Sequence, residues 1–423
     1  MSNTVAKEKE GTTIVSKISD EDQPKFPWRP ALALLIGPAG WAAPFTALNA
    51  VLLPAKVANI APGQKVAIVA LVTSVTMIVS LISGIIFGAL SDMTRSRFGS
   101  RTPWVIGGAV AGSLCLIVFA MTDSLPVMLV SWWAYDAFFH AITAAGTAWL
   151  PDRVAPRWRG SASAMFGVAG QIGNLGVQAV AAQFMNNIPA GVIFALVAAD
   201  ICVLVACVIC KEPSNKHEDP VKFDLSAFRN FLPPLHGSRD YYLAALARML
   251  WMMPGGIGTY RLFTLTDYMH QTKAQAADWM SLMASLSLVI GIVFCLISGP
   301  LADRFHTVKI PCVIAVFVVC VPCWLPFFDP TPMTYTIYVA ISAIGGGIFN
   351  ALDQTIMTSV LPDAKTAAKD LAFINVAGTI GNLLAPIVAA AVIGAFGYRG
   401  LFPMGFIILS CAALCILAIK RVH

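Results

Sequence analysis

An aspartate and a histidine, Asp136 and His140, stand four positions apart in the largely apolar stretch 125–149. Side chains four residues apart share one face of a helix, so these two groups can contact each other. An ionisable side chain inside a bilayer is costly unless it faces a cavity or a partner, which makes such residues functional candidates. A carboxylate can bind and release a proton, and an imidazole with an ordinary pKa of about 6.5 can relay one. The pair therefore predicts a proton-binding site; the alternative is a purely structural pair, with His140 or an arginine as the partner of Asp136.

A second unusual stretch, residues 240–269, carries two arginines and a Pro-Gly-Gly sequence. The Pro-Gly-Gly sequence should interrupt a helix, and broken membrane helices are tolerated only where they line protein or a cavity, so we expect a gate here. Arg261 follows Tyr260 and lies about 12 Å from the end of the stretch at 1.5 Å per residue, so it is expected to face a ligand or Asp136. Arg248 is expected at an interface or a gate. The alternative is that the arginines extend to the membrane surface.

Polar side chains also recur at helical spacing in three further stretches. They are Gln171 and Asn174 in 161–184, Asn350, Asp353 and Gln354 in 333–358, and Asn375, Thr379 and Asn382 in 369–393. The sets in the first and third stretches each lie within about 80° of a helical wheel, which favours polar faces on a central cavity. Asp353 is a candidate second acid for proton coupling or gating. The alternative is that these groups join helices by hydrogen bonds.

The composition requires a membrane environment. Hydrophobic residues make up 57% and charged residues 12% of the 423 residues, and the mean hydropathy is +0.75. A soluble domain has a charged fraction of about 25%. A spanning helix needs about 20 mainly apolar residues, so the sequence predicts an all-α membrane protein with twelve transmembrane helices. They lie near 31–53, 65–90, 103–122, 125–149, 161–184, 189–211, 240–269, 275–299, 309–328, 333–358, 369–393 and 397–419.

Polar segments divide the chain. Residues 1–28 have too few apolar side chains to form a core and are expected to be a disordered cytoplasmic tail. Residues 212–239 combine prolines with charges and are expected to be a cytoplasmic linker. We therefore expect two six-helix bundles, at 29–211 and 240–423.

Basic residues indicate the orientation. At the termini and in the loops after even-numbered helices there are 22 of the 28 Lys and Arg residues, and four lie on the other side. Because basic loops stay in the cytoplasm, both termini are expected there, in a multi-pass protein of the cell (inner) membrane. The scattered charges give no single basic face for nucleic acid.

The two halves repeat in register. Gly-x-Leu-x-Asp occurs at 88–92 and 299–303, and Leu-Pro-Asp occurs at 150–152 and 361–363, both with an offset of 211 residues. A third block, at 168–174, recurs 208 residues later. Six helices separate the copies, so the halves should be related by a pseudo-two-fold axis along the membrane normal.

The stretch Gly88-Ala-Leu-Ser-Asp-Met-Thr-Arg-Ser-Arg-Phe-Gly-Ser-Arg-Thr-Pro-Trp104 closely resembles a loop of the glycoside-pentoside-hexuronide branch of the major facilitator superfamily. In that branch the loop joins the second and third helices. The resemblance implies the major facilitator fold and a latch that holds one face of the protein closed. The residues concerned are Gly88, Asp92, Arg95, Arg97 and Arg101, with Asp303 and Arg304 in the second copy.

In physical terms, Gly88 permits close helix approach and Asp92 can accept hydrogen bonds from a neighbouring helix N-terminus. Met93 and Ser100 stand where the branch usually has arginine, which implies a weaker latch. The alternative is a basic loop that only fixes orientation.

Further segments resemble sugar-type members of the branch from actinobacteria: Leu150 to Gly160, and Lys369-Asp370-Leu371. Asp136 precedes Asp152 by 16 residues, the spacing of the helix-four aspartate in similar plant sucrose–proton symporters. Melibiose-type members use an aspartate of helix two for sodium, and 65–90 contains no carboxylate, so the resemblance favours protons.

For a saccharide, an aromatic ring can stack under the apolar face of the sugar. The candidates are Trp41, Phe45, Trp132, Tyr135 and Trp251. Aromatic residues of membrane helices also form cores and interfacial belts, which is the alternative for each.

The residues and the resemblance together predict a secondary active transporter that takes up a glycoside or small oligosaccharide with a proton. The alternatives are a proton-driven exporter of amphipathic compounds and a membrane sensor or scaffold without transport. We expect a monomer in the lipid bilayer with a saccharide and a proton as partners. An ATP-driven pump is not expected, since the chain lacks a nucleotide-binding G-x-x-x-x-G-K-[ST] sequence, and no cofactor is expected. No metal is expected, since its two Cys-x-x-Cys pairs lack an accompanying His or carboxylate. Nor does any nucleophile and base grouping indicate an enzyme.

Overall fold

The structure, a computed structural model, describes residues 18, 20–217, 239–305, 309–360 and 367–420. Every regular element within these ranges is a helix, as predicted. The first half contains α1 (Trp28–Ile60), α2 (Lys65–Met93), α3 (Thr102–Met121), α4 (Leu125–Thr147), α5 (159–182) and α6 (Ile188–Ile209). The second half contains α7 (239–268), α8 (Lys273–Phe305), α9 (Lys309–Phe328), α10 (Pro332–Ser359), α11 (Ala367–Phe396) and α12 (Leu401–Ala418).

Nine of these twelve segments are, over the described residues, long and apolar enough to cross a membrane. The other three are α4, α5 and α7. α4 carries Asp136 and His140, and α5 and α7 are each interrupted. The three segments with weaker hydropathy are therefore the ones with the candidate polar sites or helix breaks.

Helix starts follow local chemistry. Proline occupies the first turn of α3, α4, α6 and α10, where a backbone N–H has no helical partner to lose. Thr331 adds a capping box at the start of α10. Consecutive helices run antiparallel, so we call the face that carries Trp28 and Ala418 the terminal face. The face that carries Ile60 and Lys65 is the opposite face.

The helices pack as two bundles with the same internal contacts. In the first bundle α1 packs on α5 and α6, α4 on α2 and α3, and α3 on α6. In the second bundle α7 packs on α11 and α12, α10 on α8 and α9, and α9 on α12. Each contact recurs six helices later, as the sequence repeat requires.

Two seams join the bundles: α2 against α11, and α5 against α8. The pseudo-two-fold axis exchanges these seams, because α8 is the repeat of α2 and α11 the repeat of α5. At the first seam Ser74 Oγ donates a hydrogen bond to the Leu383 carbonyl at 3.4 Å. The space between the seams is where a ligand can be enclosed by both bundles.

Small residues bring α10 close to its neighbours. A Cβ on Gly345 would lie 2.4 Å from the Ala315 carbonyl oxygen of α9, and one on Gly347 would lie 2.6 Å from the Gly291 carbonyl oxygen of α8. Only glycine allows this approach, which is the usual role of small residues between membrane helices. α10 is thus fixed between two helices, and its polar side chains have defined positions.

Candidate functional site

A cavity of about 770 Å³ lies between the bundles, lined by α5, α7, α8 and α10. Three residues predicted to bind substrate line it: Asn174, Arg261 and Asn350. Its volume is in the range of small-molecule sites, about 300–1,000 Å³. The cavity draws on both halves of the chain, although most of its wall comes from the second half.

The predicted break in α7 forms part of this wall. The helix ends at Met252 and resumes at Gly255, and Pro254, Gly255 and Gly258 line the cavity. A Cβ on Gly256 would lie 2.5 Å from the Ala385 carbonyl oxygen of α11, so the broken segment packs closely on α11. The interruption is confirmed, and it exposes backbone to the cavity as such breaks do in membranes.

Arg261 follows the break and reaches two spaces. It lines the main cavity and a smaller space of about 130 Å³ that Asn49 and Gln178 also line. Its guanidinium interacts with the Tyr335 hydroxyl, while its buried Nε has no hydrogen-bond partner. Ser342 Oγ, also on the cavity wall, is likewise buried without a partner. These atoms offer unused hydrogen-bonding capacity to a ligand.

Tyr260 was expected to bind substrate, but it does not line the cavity. It is fully buried, and its hydroxyl contacts the carbonyls of Val66 in α2 and Pro386 in α11, each at 3.2 Å. Instead of lining the cavity, it bridges the two bundles in this conformation.

Asp136 is held between α2 and α4. Its side chain is 0% exposed, and Ser80 Oγ lies 2.9 Å from Oδ2 and 3.2 Å from Oδ1. His140 Nδ1 is 3.4 Å from Oδ1 and 2.9 Å from the Asp136 carbonyl oxygen. Because both of these oxygens are hydrogen-bond acceptors, the Nδ1 atom of His140 is the one that carries a proton. The His140 side chain is 22% exposed, so it is the accessible member of a buried pair.

The structure separates this pair from the cavity. Neither Asp136 nor His140 is among the residues that line it, and the two lie within the first bundle. The predicted contact between Asp136 and His140 is present, whereas no ion pair joins Asp136 to Arg261 in the described part of the chain. The Asp136–His140 pair and the cavity therefore lie on different helices.

The aromatic residues proposed as sugar platforms are packed inside the first bundle. Trp41 is 4%, Trp132 0% and Tyr135 4% exposed, and Phe45 stacks on Phe139 with ring centroids 4.7 Å apart. Rings buried on both faces cannot stack on a sugar in this conformation.

Two tyrosines reach the cavity wall, although at 0% and 7% exposure Tyr335 and Tyr338 are also largely covered by protein. Tyr335 and Tyr338 of α10 stack on each other, with ring centroids 5.9 Å apart, and both line the cavity. The sequence signal that could have found them is their spacing of three residues, one turn before Ser342.

Arg248 and Asp353 form a pair between α7 and α10. The Nη1 to Oδ2 distance is 2.6 Å, and the side chains are 12% and 8% exposed. Arg248 Nε, packed on Gly378, and Asp353 Oδ1 have no hydrogen-bond partner. The pair lies one turn from Asn350 towards the terminal face, so it adjoins the cavity.

The polar stripe of α11 does not line the cavity. Asn375 and Asn382 are exposed, and Thr379 Oγ1 donates to the Asn375 carbonyl at 3.2 Å. The side chains of Gln171 and Gln354 lie outside the described part of the structure, as do those of Asp303 and Arg304.

At the terminal face, Arg101 is the centre of the predicted latch. It contacts Asp92 Oδ1 at 2.5 Å, Asp152 Oδ2 at 3.0 Å and Ser91 Oγ at 3.0 Å, so it ties the ends of α2 and α4 together. Burial by itself would lower the pKa of Arg101, but the carboxylates of Asp152 and Asp92 outweigh burial and the pKa is raised. The guanidinium is therefore permanently charged.

The other latch residues are arranged differently from expectation. Asp92 pairs with Arg101 instead of capping a helix, and a Cβ on Gly88 would meet nothing within 4 Å. Arg95 donates to the Asp92 and Thr94 carbonyls, and Arg97 lies 4.7 Å from the ring centre of its neighbour Phe98. The close approach expected at Gly88 is thus absent here, because no neighbouring helix reaches it in this conformation.

Glu212 takes the helix-capping role that was expected of Asp92. Its Oε2 accepts hydrogen bonds from the Arg101 and Thr102 amides, at 3.0 and 2.9 Å, and its Oε1 accepts one from Trp149 Nε1. A carboxylate at a helix N-terminus is favoured by the helix dipole. Its only sequence signal is an acidic residue three positions after the end of α6, within the predicted linker 212–239.

At the opposite face, polar contacts cross between the bundles. Lys65 Nζ of the first bundle lies 2.6 Å from Asp267 Oδ2 of the second, and the Tyr398 hydroxyl donates to the same oxygen at 2.9 Å. Lys273 Nζ also donates to Asn59 Oδ1 at 2.7 Å. We call Lys65, Asp267 and Tyr398 the opposite-face lock. Sequence reasoning missed it because its members are far apart in the chain.

A further membrane-embedded carboxylate, Asp200 of α6, was also missed. Its Oδ2 accepts a hydrogen bond from Ser113 Oγ of α3 at 2.9 Å. An aspartate within an otherwise apolar stretch was the available signal.

A family model described as Major Facilitator Superfamily matches residues 31–368 and again residues 241–422. Among solved structures, the nucleoside transporter NupG is 15% identical, with coverage of 93% of this chain and 100% of that chain and a TM-score of 0.70. A D-xylose-proton symporter is 12% identical, with coverage of 94% and 98% and a TM-score of 0.66. A bacterial homologue of the human lysosomal transporter Spinster, inward-facing and occupied, is 15% identical, with coverage of 93% and 96% and a TM-score of 0.67. Comparison with curated proteins finds no match. At these identities the structural likeness shows the fold alone.

Proposed function

This chain belongs to the Major Facilitator Superfamily, and from that premise we propose that it takes up a glycoside or small oligosaccharide together with a proton. The proposed function is secondary active transport and not catalysis. The single observation that carries it is a buried carboxylate beside an accessible imidazole, Asp136 with His140, in a chain whose two bundles also enclose a separate cavity of ligand size.

Asp136 supports proton coupling through its surroundings. Ser80 stabilises the carboxylate by a hydrogen bond, but no lysine or arginine among the described residues forms an ion pair with it. The carboxylate is therefore not committed to a permanent ion pair, as a reversible proton-binding group requires. His140, as the exposed partner, is the group through which that proton would arrive.

The cavity supports a hydroxyl-rich substrate. Its wall offers two amides, Asn174 and Asn350, the hydroxyls of Ser287 and Ser342, and the stacked pair Tyr335 and Tyr338. Amides and hydroxyls can both donate and accept hydrogen bonds, as sugar hydroxyls require. The tyrosines add two further hydroxyl groups to this wall.

We further propose alternating access by rocking of the bundles about the cavity. The opposite-face lock and Tyr260 hold the bundles together on one side, and the open space at Gly88 supports an opening on the terminal side. With the terminal face assigned to the cytoplasm of a cell (inner) membrane, this conformation is inward-facing. The resemblance around Gly88 to Trp104 supports membership of the glycoside-pentoside-hexuronide branch, and we propose that the protein works as a monomer.

The test is transport by reconstituted protein in liposomes. Wild-type protein should accumulate a labelled saccharide when an inward proton gradient is imposed. Asp136→Asn should retain counterflow, which needs no net proton movement, but should lose accumulation. Asp200→Asn is the matched control, since it changes another membrane-embedded aspartate in α6, and it should keep accumulation. Concentrative uptake by Asp136→Asn would refute the assignment of Asp136.

A second function, proton-driven export of amphipathic compounds, is favoured by the apolar part of the cavity wall. Val168, Ile292 and Leu296 line it beside the polar groups. An exporter would deplete liposomes of an amphipathic dye when the gradient is imposed, whereas the proposed importer would not.

A further inference from the structure

The cavity contains one formal charge. Among its described lining residues there is an arginine, Arg261, and no aspartate or glutamate. All other polar groups on the wall are neutral amides and hydroxyls. An empty cavity of this kind carries a net positive charge.

Arg261 has no anionic partner in the described part of the chain. Its guanidinium interacts with the neutral Tyr335 hydroxyl, and its buried Nε has no hydrogen-bond partner. Four aspartates within or beside the membrane are bound to other groups: Asp136 to Ser80 and His140, Asp200 to Ser113, Asp267 to Lys65, and Asp353 to Arg248. The protein thus holds a partly buried cation without neutralising it.

Such an arrangement is costly to the empty protein. A buried charge without a partner destabilises a fold, and a bound anion would recover that energy through charge-assisted hydrogen bonds. Arginine is well suited to this, since its planar group can bind carboxylates and phosphates through two parallel bonds.

We propose that the transported substrate carries an anionic group, a carboxylate or a phosphate, and that Arg261 binds this group. This inference rests on the proposed function and specifies its substrate as an acidic saccharide. The anionic group lies at the break in α7, with Tyr335 beside it. The hydroxyls of the same molecule face Asn350 and Ser342, whose Oγ is also without a partner.

The experiment compares matched ligands on the purified full-length protein. A panel of neutral monosaccharides and disaccharides is paired with the corresponding uronic acids and sugar phosphates, and affinities are obtained from ligand-induced shifts in melting temperature. At least one acidic compound is expected to bind roughly tenfold more tightly than its neutral partner. The uronic acid and phosphate arms distinguish the two anionic groups.

Substitutions then test whether Arg261 causes the preference for acidic over neutral ligands. Arg261→Gln should abolish it, and Arg261→Lys should retain part of it. Arg399→Gln, the same change at an exposed arginine that contacts Phe327 of its own bundle, should leave the preference intact. Without ligand, Arg261→Gln should melt no lower than the wild type, because it removes an uncompensated charge. A melting temperature lower than loss of the contact with the Tyr335 hydroxyl alone explains, as measured with Tyr335→Phe, would show that the guanidinium already has a counter-charge and would overturn the proposal.

Failure of this inference differs from failure of the proposed function. If neutral and acidic partners bind equally well, or if the acidic preference survives in Arg261→Gln, the anionic substrate is refuted while saccharide transport stands. If no member of the panel shifts the melting temperature or supports counterflow, both are refuted.

Discussion

Removing the lysine of the opposite-face lock should open that face of the protein. Lys65 and Asp267 are 2.6 Å apart with side chains 21% and 31% exposed, and Tyr398 shares the same carboxylate oxygen. Partly exposed ion pairs contribute up to about 1 kcal/mol, and the short distance and the added hydrogen bond place this one at the upper end. Because the pair joins the two bundles, its energy favours the conformation closed at the opposite face. Lys65→Ala should therefore raise the ratio of opposite-face-open to closed molecules about fivefold.

Hydrogen–deuterium exchange with mass spectrometry measures this change. In Lys65→Ala, exchange should increase in peptides covering 57–66 and 264–272 and decrease in peptides at the terminal face. Arg399→Ala is the control, since Arg399 lies at the same face but contacts Phe327 of its own bundle. The charge swap Lys65→Asp with Asp267→Lys should restore the wild-type pattern. Unchanged exchange in Lys65→Ala would refute the view that this pair holds the bundles together.

Three further changes test the packing around the site. Glu212→Gln weakens the carboxylate cap on α3 and should cost about 1–3 kcal/mol, seen as a lower melting temperature in detergent; an unchanged melting temperature would contradict this role. Asp353→Asn leaves Arg248 buried without its counter-charge and should cost about 3–5 kcal/mol, and adding Arg248→Gln should recover most of that loss; no recovery would show that the two residues act separately. Gly345→Leu should abolish the yield of monodisperse protein by gel filtration, because α9 backbone lies where the new side chain must go, and normal yield would contradict the packing at that position.

Features that depend on local sequence were predictable. Hydropathy fixes where membrane helices lie, and Pro254 with two glycines fixes where α7 breaks, since both effects act within one or two helical turns. The contact between Asp136 and His140 also follows from a spacing of four residues on one helix. The repeated sequence blocks predicted the matching contacts of the two bundles.

Features that depend on how helices are rotated against each other were not predictable. Trp132 and Tyr335 are both aromatic residues of apolar helices and both are 0% exposed, yet only Tyr335 lines the cavity. A single sequence does not distinguish lipid, core and cavity faces for such residues. Ser80 and Glu212 were missed for a related reason, because their partners lie on other helices.

The cavity wall is unequally divided between the two halves of the chain, and this has an evolutionary consequence. α7, α8 and α10 supply most of the wall, whereas Asp136 and His140 lie in the first half among tightly packed aromatic rings. Duplicated halves start out identical, and here they differ: one has a dense interior and the other supplies most of the cavity wall. On the proposed function, substitutions in the second half would alter which substrate is accepted and leave the proposed proton site in the first half unchanged. Proteins built in this way would evolve new substrate preferences and keep the same coupling ion.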